Sequence, residues 1–210
     1  MNINQSMKQY FEDLSSNSPT PGGGNVAALC GALASSLGTM VCNLTIGKKK
    51  YIDVEAEITS LKEKLENFKK EYFDLASKDN DAFDKVMEAF KLPKESDEEK
   101  KIRDSKIEEA TIHAAEVPAE VMRISLEVLP ILKVISEKGN KNSLSDAGVA
   151  ISLIKTAVQS AYFNVLINCS SLNNQTIANE IRKRASITFG EIENISSILL
   201  NSITKSFLPE

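Results

Sequence analysis

A carboxylate on an apolar stripe is the first feature of this sequence that could do chemistry. Ile58, Leu61, Leu65, Phe68, Tyr72 and Leu75 recur at intervals of three and four, and Ala82, Val86 and Ala89 continue the pattern, so a long helix is expected from Asp53 to about Phe90. Extending its stripe places Asp79 where an apolar residue belongs. A carboxylate there costs free energy unless it is paired or wetted by a cleft, and the cleft reading makes Asp79 a candidate for proton transfer. The other reading is a break in the stripe, with Lys78-Asp79-Asn80-Asp81 as a solvated kink.

The second candidate is Pro19-Thr20-Pro21-Gly22-Gly23-Gly24, which can extend neither a helix nor a strand. Asn25 follows as an expected N-cap, and the run from Val26 to Ile46 carries no charge. A glycine turn opening a helix presents backbone N–H groups that can hold an anionic or polar group; it is equally a tight turn into a core helix. It is neither a phosphate-binding loop with Lys-Ser/Thr after the glycines nor a dinucleotide fingerprint after a strand. Past Gly47, Lys48-Lys49-Lys50 complements the helix dipole and would also suit a polyanionic tail.

Asn164 and Asn168 lie four residues apart on a face otherwise lined by Ala150, Ala157 and Ala161. Buried amides on such a face either lock helices together or read a heteroaromatic ring by paired donor and acceptor. Asp146 shares that face but stands ~27 Å away along the axis, and as an N-cap it needs no further explanation. His113, the only histidine, has no Ser or Cys motif beside it, and no His–Cys cluster exists, so neither a Ser-His-Asp triad nor a metal site is expected. Cys30, Cys42 and Cys169 are odd in number and set among apolar residues, which reads as reduced core thiols.

These residues need a scaffold. Short and long helices are expected over about 4–14, 25–46, 53–90, from the polar link after Leu92 to Pro118, 119–137 with a bend near Pro130, 143–172 and 174–207. Pro118 should kink or end its helix. Gly31 and Gly38, with Ala27, Ala34 and Ser35, give the 25–46 helix a smooth face for close packing. The expectation is a single all-α domain over 1–210, a bundle of about six or seven helices around that buried small-residue helix. The uncharged run is long enough to span a membrane, but its Ala, Ser, Thr, Asn and Gly content and the lack of a second span argue for a soluble chain. Net charge −4 argues against nucleic acid, and the N-terminus lacks a signal-peptide core, so a cytoplasmic location is expected.

The segments Pro19-Thr-Pro-Gly-Gly-Gly-Asn-Val-Ala-Ala, Met40-Val-Cys-Asn-Leu-Thr-Ile-Gly-Lys-Lys-Lys-Tyr, Asp79-Asn-Asp-Ala-Phe, Val117-Pro118, Glu137 to Ala150 and Asn164-Val-Leu-Ile-Asn168 together resemble the formiminotetrahydrofolate cyclodeaminase/methenyltetrahydrofolate cyclohydrolase family. The resemblance runs from about Phe11 to about Arg184. It implies an all-helical folate enzyme with no cofactor beyond its tetrahydrofolate substrate, a homodimer with clefts near the subunit interface. The implied reaction closes 5-formiminotetrahydrofolate to 5,10-methenyltetrahydrofolate with loss of ammonia; the alternative interconverts the methenyl and 10-formyl forms, and a non-catalytic folate-binding or assembly-forming dimer is a reading of another class. On the resemblance, Asp79 and Lys48 are the catalytic candidates. Thr20, Gly22, Gly23 and Gly24 would hold the pterin or a carboxylate, Lys48 and Lys50 would pair with a glutamate tail, and Asp146, Asn164 and Asn168 would position the ring or the interface. Asn25 and Asn80 depart from the family's usual residues, which are smaller. The chain has no transferase domain, which favours the cyclohydrolase alternative.

Overall fold

A computed structural model describes residues 5–208. Six α-helices follow one another: α1 (Met7–Leu14), α2 (Gly23–Asn43), α3 (Glu55–Phe90), α4 (Asp97–Lys138), α5 (Leu144–Ser170) and α6 (Gln175–Lys205), with 3-10 turns at Lys49–Val54 and Lys141–Ser143. Among the described residues there is no β-strand, so the all-α bundle is as expected. Central α2 packs against α3 on one side and α5 on the other, with α4 behind them and α6 closing over α4 and α5.

The small residues of α2 set its contacts. A Cβ on Gly31 would stand 2.3 Å from the Tyr72 ring of α3, and one on Gly38 would stand 2.7 Å from both Leu65 and Leu132. Ala27, Ala28 and Ala34 are fully buried beside them. The outward stripe of the same helix, Val26, Leu29, Cys30, Leu33, Leu37 and Met40, is apolar yet only half-buried, and Leu33 is 43% exposed. Contrary to the expectation that no second span exists, two stretches, Gly23–Asn43 and Lys141–Ser170, are long and apolar enough to cross a membrane by length and composition.

Three expectations about local structure change. The cap of α2 is Gly22, not Asn25; three glycines without side chains let the helix start at once, and Asn25 becomes a fully buried member of its first turn. Of the two readings of residues 78–81, the break falls away: helix α3 runs through them unbroken. Pro118 ends nothing: the expected pair of helices is one helix of 42 residues, ~63 Å long, with Pro118 and Pro130 inside it. Pro118 is buried, and Pro130 is exposed between buried Leu129 and Ile131, so core contacts flank both prolines where the helix continues through them. At its start Ser96 and Glu99 form the reciprocal capping box.

The far end of α2 is stitched to the α4–α5 connection. The Asn140 N–H donates to Thr45 Oγ1 at 2.9 Å and its Nδ2 donates to the Leu44 carbonyl at 3.0 Å. Helices α2 and α5 therefore run antiparallel, and the glycine turn lies beside the last turns of α5. All three cysteines are free; burial raises each thiol, Cys42 to about 11, with the Lys62 charge pulling the other way.

Candidate active site

Where α2 begins, α3, α4 and α5 converge on a cleft of about 310 Å³ lined by Thr20, Gly22, Gly23, Gly24, Asp79, Asn164 and Asn168, with Phe83, Val86 and Ala114 as its apolar wall. Seven of the ten residues singled out from the sequence thus meet in one place. An adjoining basin of about 590 Å³ shares Pro19, Gly22, Gly23 and Asn164 with it and is floored by Val26, Ser160 and the exposed ring of Phe163.

Asp79 reaches the cleft because Gly24 lets it. An added Cβ on Gly24 would stand 2.1 Å from Asp79 Oδ1 and 2.8 Å from Oδ2, so only glycine admits the carboxylate. The Asn25 backbone N–H, left free by the helix start, donates to Asp79. Burial nevertheless dominates and pushes the Asp79 pKa up, the Asn25 hydrogen bond opposing it. The result is a carboxyl group held at a helix N-terminus with an elevated proton affinity, the property a proton-transfer group needs.

Asn25 is in turn fixed from three elements. Its Oδ1 accepts from the Tyr10 hydroxyl at 2.9 Å, and its Nδ2 donates to the Ala76 carbonyl at 2.7 Å and to Asn80 Oδ1 at 3.3 Å. Tyr10 is the one buried residue of α1. Burial raises its pKa, with Cys30 and Asp79 adding to the rise, so it stays a neutral donor. Tyr10 and Asn25 were not legible as site residues. Tyr10 reads as one apolar position among several on α1, and Asn25 satisfied a simpler role as a cap. Asn80, a departure from the family pattern, accepts from Asn25 rather than touching Asp79.

Each of the two α5 amides spends one of its two N–H groups on backbone. Asn164 Nδ2 donates to the Ser160 carbonyl at 2.8 Å, and Asn168 Nδ2 donates to the Ala114 carbonyl of α4 at 2.8 Å. Their Oδ1 atoms are left as acceptors for a ligand with a donor edge.

Lys48, Lys50 and Asp146 are elsewhere. The 21 residues of α2 put ~30 Å between the glycine turn and the lysines. Lys48 and Lys50 are exposed, Lys50 lying 5.7 Å from the centre of the Tyr51 ring; Asp146 is not the cap expected of it, since Ser143 holds the N-cap position of α5 and Asp146 sits half-buried within the first turn at that same end. Within one chain none of the three can share a small ligand with Asp79; only an extended ligand would span that distance. His113 is exposed on the outer side of the α3–α4 pair, in a separate groove with Lys85, Glu88, Lys106 and Glu109.

The sequence profile of the formiminotransferase-cyclodeaminase family matches residues 6–187. A methenyltetrahydrofolate cyclohydrolase of Methylorubrum extorquens is 43% identical over 177 residues, 84% of this chain and 85% of that protein. The formimidoyltransferase-cyclodeaminase of Rattus norvegicus is 29% identical over 201 residues, which are 96% of this chain and 37% of the rat protein. Among solved structures, formiminotetrahydrofolate cyclodeaminase from Thermotoga maritima superposes with a TM-score of 0.86 at 32% identity, covering 97% of each chain. Likeness of this extent, in sequence and in fold along nearly the whole length, shows that the chain belongs to the formiminotransferase-cyclodeaminase family.

Proposed function

We propose that the cleft binds a tetrahydrofolate derivative and hydrolyses its 5,10-methenyl bridge to the 10-formyl form. The observation that carries this is Asp79, a carboxyl of raised proton affinity beside acceptor amides in a cleft large enough for a bicyclic ring. Water adds to the bridging carbon while the Asp79 carboxylate takes its proton. The tetrahedral carbon then releases N5, which receives that proton from Asp79, while the carbinol hydroxyl gives its own proton to the regenerated Asp79 carboxylate and so to solvent; a formyl group remains on N10 and one proton is released overall. The Oδ1 atoms of Asn164 and Asn168 accept from the amino and N–H edge of the pterin, and the benzoyl part extends past Pro19 and Gly23 into the adjoining basin over Phe163.

The 43% identity to a cyclohydrolase spanning most of both chains favours water as the nucleophile. A second reading is supported by the likeness to the Thermotoga maritima cyclodeaminase: N10 of 5-formiminotetrahydrofolate attacks the formimino carbon, and Asp79 protonates the departing ammonia. The test follows the methenyl chromophore in two cuvettes. Accelerated decay of 5,10-methenyltetrahydrofolate alone supports the hydrolase. Chromophore appearing from 5-formiminotetrahydrofolate with ammonia released makes the protein a cyclodeaminase. Silence in both, with folate bound, leaves a binding protein.

The working form is a homodimer formed through the outward stripe of α2. A stripe of Val26, Leu29, Leu33, Leu37 and Met40 on a helix with no charge is costly to leave wet, and pairing of two such stripes across a two-fold axis perpendicular to the helix sets the partner's α2 antiparallel. That pairing brings the partner's Lys48 and the partner's Lys50 toward the cleft, where a polyglutamate tail would meet them. Leu33→Lys is expected to give a monomer by light scattering, with KM for a polyglutamylated substrate raised about tenfold or more by loss of charge-assisted contacts. A wild-type mass that stays monomeric at every concentration removes the dimer.

Tyr10→Phe takes the donor from Asn25 Oδ1 and loosens the turn that supplies the Asp79 hydrogen bond. Losing a bond that favours the ionised form raises the Asp79 pKa further, so the limb of the pH–rate profile governed by Asp79 moves to higher pH. Tyr72→Phe removes a comparable buried hydroxyl, bonded to Ser125 at 2.8 Å, and should leave that limb in place.

A further inference from the structure

Pro118 stands in the interior of α4, where a proline is costly, and the structure assigns it a task. In an α-helix the N–H of residue 118 would donate to the carbonyl of residue 114. Proline has no N–H, and its ring crowds the same carbonyl. The Ala114 carbonyl is the one that accepts from Asn168 Nδ2, at 2.8 Å across the α4–α5 contact, and Ala114 and Asn168 both line the cleft that holds Asp79. An acceptor vacated inside one helix is filled by a side chain of the next.

We propose that Pro118 is a positioning residue for substrate binding: by withholding its hydrogen bond it reserves the Ala114 carbonyl for Asn168 and so fixes which end of that carboxamide faces the ligand. With one Nδ2 N–H committed to the Ala114 carbonyl, the carboxamide is held in a single orientation in which Oδ1 serves the cleft as an acceptor, and the site selects a heterocycle whose facing edge donates. Were the Ala114 carbonyl satisfied within α4, the amide would be free to turn over and offer N–H groups instead. The neighbouring Asn164 is anchored on its own helix, to the Ser160 carbonyl, and does not depend on α4. The recognition of a donor edge by Asn168 rests on the folate reading above; its anchoring by Pro118 does not.

The test is Pro118→Ala, which restores the missing N–H. The expected crystal structure has the residue 118 N–H on the Ala114 carbonyl and Asn168 Nδ2 released from it. In steady-state kinetics with 5,10-methenyltetrahydrofolate, KM is expected to rise about tenfold, the size of one lost hydrogen bond, while kcat changes less than twofold. Helix propensity favours alanine, so thermal melting should occur at or above the wild-type temperature. A double-mutant cycle separates positioning from loose packing: Pro118→Ala added to Asn168→Ala should raise KM no further than Asn168→Ala alone. The inference is overturned if Asn168 Nδ2 remains on the Ala114 carbonyl in the variant, if KM is unchanged, or if the two effects add. An inactive wild type would instead count against the folate reading, and the variant's structure would still decide the anchoring.

Discussion

Asp79→Asn is expected to lower turnover of the methenyl substrate by about 10³-fold, the range a positioned general acid–base supplies, with KM changed far less. The same substitution should leave the protein as stable as wild type or more so. Burial raises the Asp79 pKa, so the folded chain binds that proton more tightly than the unfolded chain does. The stability it contributes is complete below the unfolded pKa and is lost as pH rises through the folded one. Above its folded pKa the ionised group is a burden that a neutral carboxamide does not carry, while the carboxamide oxygen still accepts from the Asn25 N–H. Loss of rate with an unchanged or higher melting temperature identifies a functional carboxylate. Unaltered turnover of both folate substrates by a folded Asp79→Asn protein would remove Asp79 from the chemistry.

Gly31→Ala should do the reverse, costing stability through a residue that touches no ligand. Helix propensity alone predicts a gain of about 1 kcal/mol from replacing an interior glycine. The added methyl, however, would stand 2.3, 2.4 and 2.6 Å from three atoms of the Tyr72 ring, which is fully buried and hydrogen-bonded to Ser125. Overpacking of a filled core costs about 1–3 kcal/mol, and a Tyr72 hydroxyl pushed off its partner adds a further ~1–3 kcal/mol. The clash wins, by roughly 3 kcal/mol; at ~3 °C per kcal/mol for a chain of this size, the melting temperature should fall about 10 °C. A thermal melt at or above the wild-type value would mean that α2 and α3 can separate without loss, contrary to the close approach described for them.

What could be read from the chain alone was whatever a single helix carries on its own face. The stripe from Ile58 to Ala89 gave α3 its place and exposed Asp79 as its exception, because periodicity is local. Asn164 and Asn168 were visible for the same reason. Asn25 was misread because its side chain satisfies groups 51 and 55 residues away, which no spacing rule detects, while a cap is the commonest local use of an asparagine. Pro118 was read as a kink or a stop because the rule concerns the helix that contains it, whereas here the vacated carbonyl finds its donor on α5. Lys48 and Lys50 resemble parts of the site by motif, yet the length of α2 sets them apart from Asp79 within one chain, a fact of distance that residue types do not encode.

The place of α2 between α3 and α5 also governs how the protein comes into being. About a hundred residues separate the end of α2 from the start of α5. At roughly 5–20 residues per second of synthesis, one flank of this uncharged, aliphatic helix waits on the order of 5–20 s for its cover to emerge. Helix α3 can pair with it early as a neighbour in sequence, but the walls carrying Asn164 and Asn168 arrive last. Nascent chains halted before residue 164 should therefore already join Asp79 to the glycine turn while recruiting holdase chaperones to the bare side of α2.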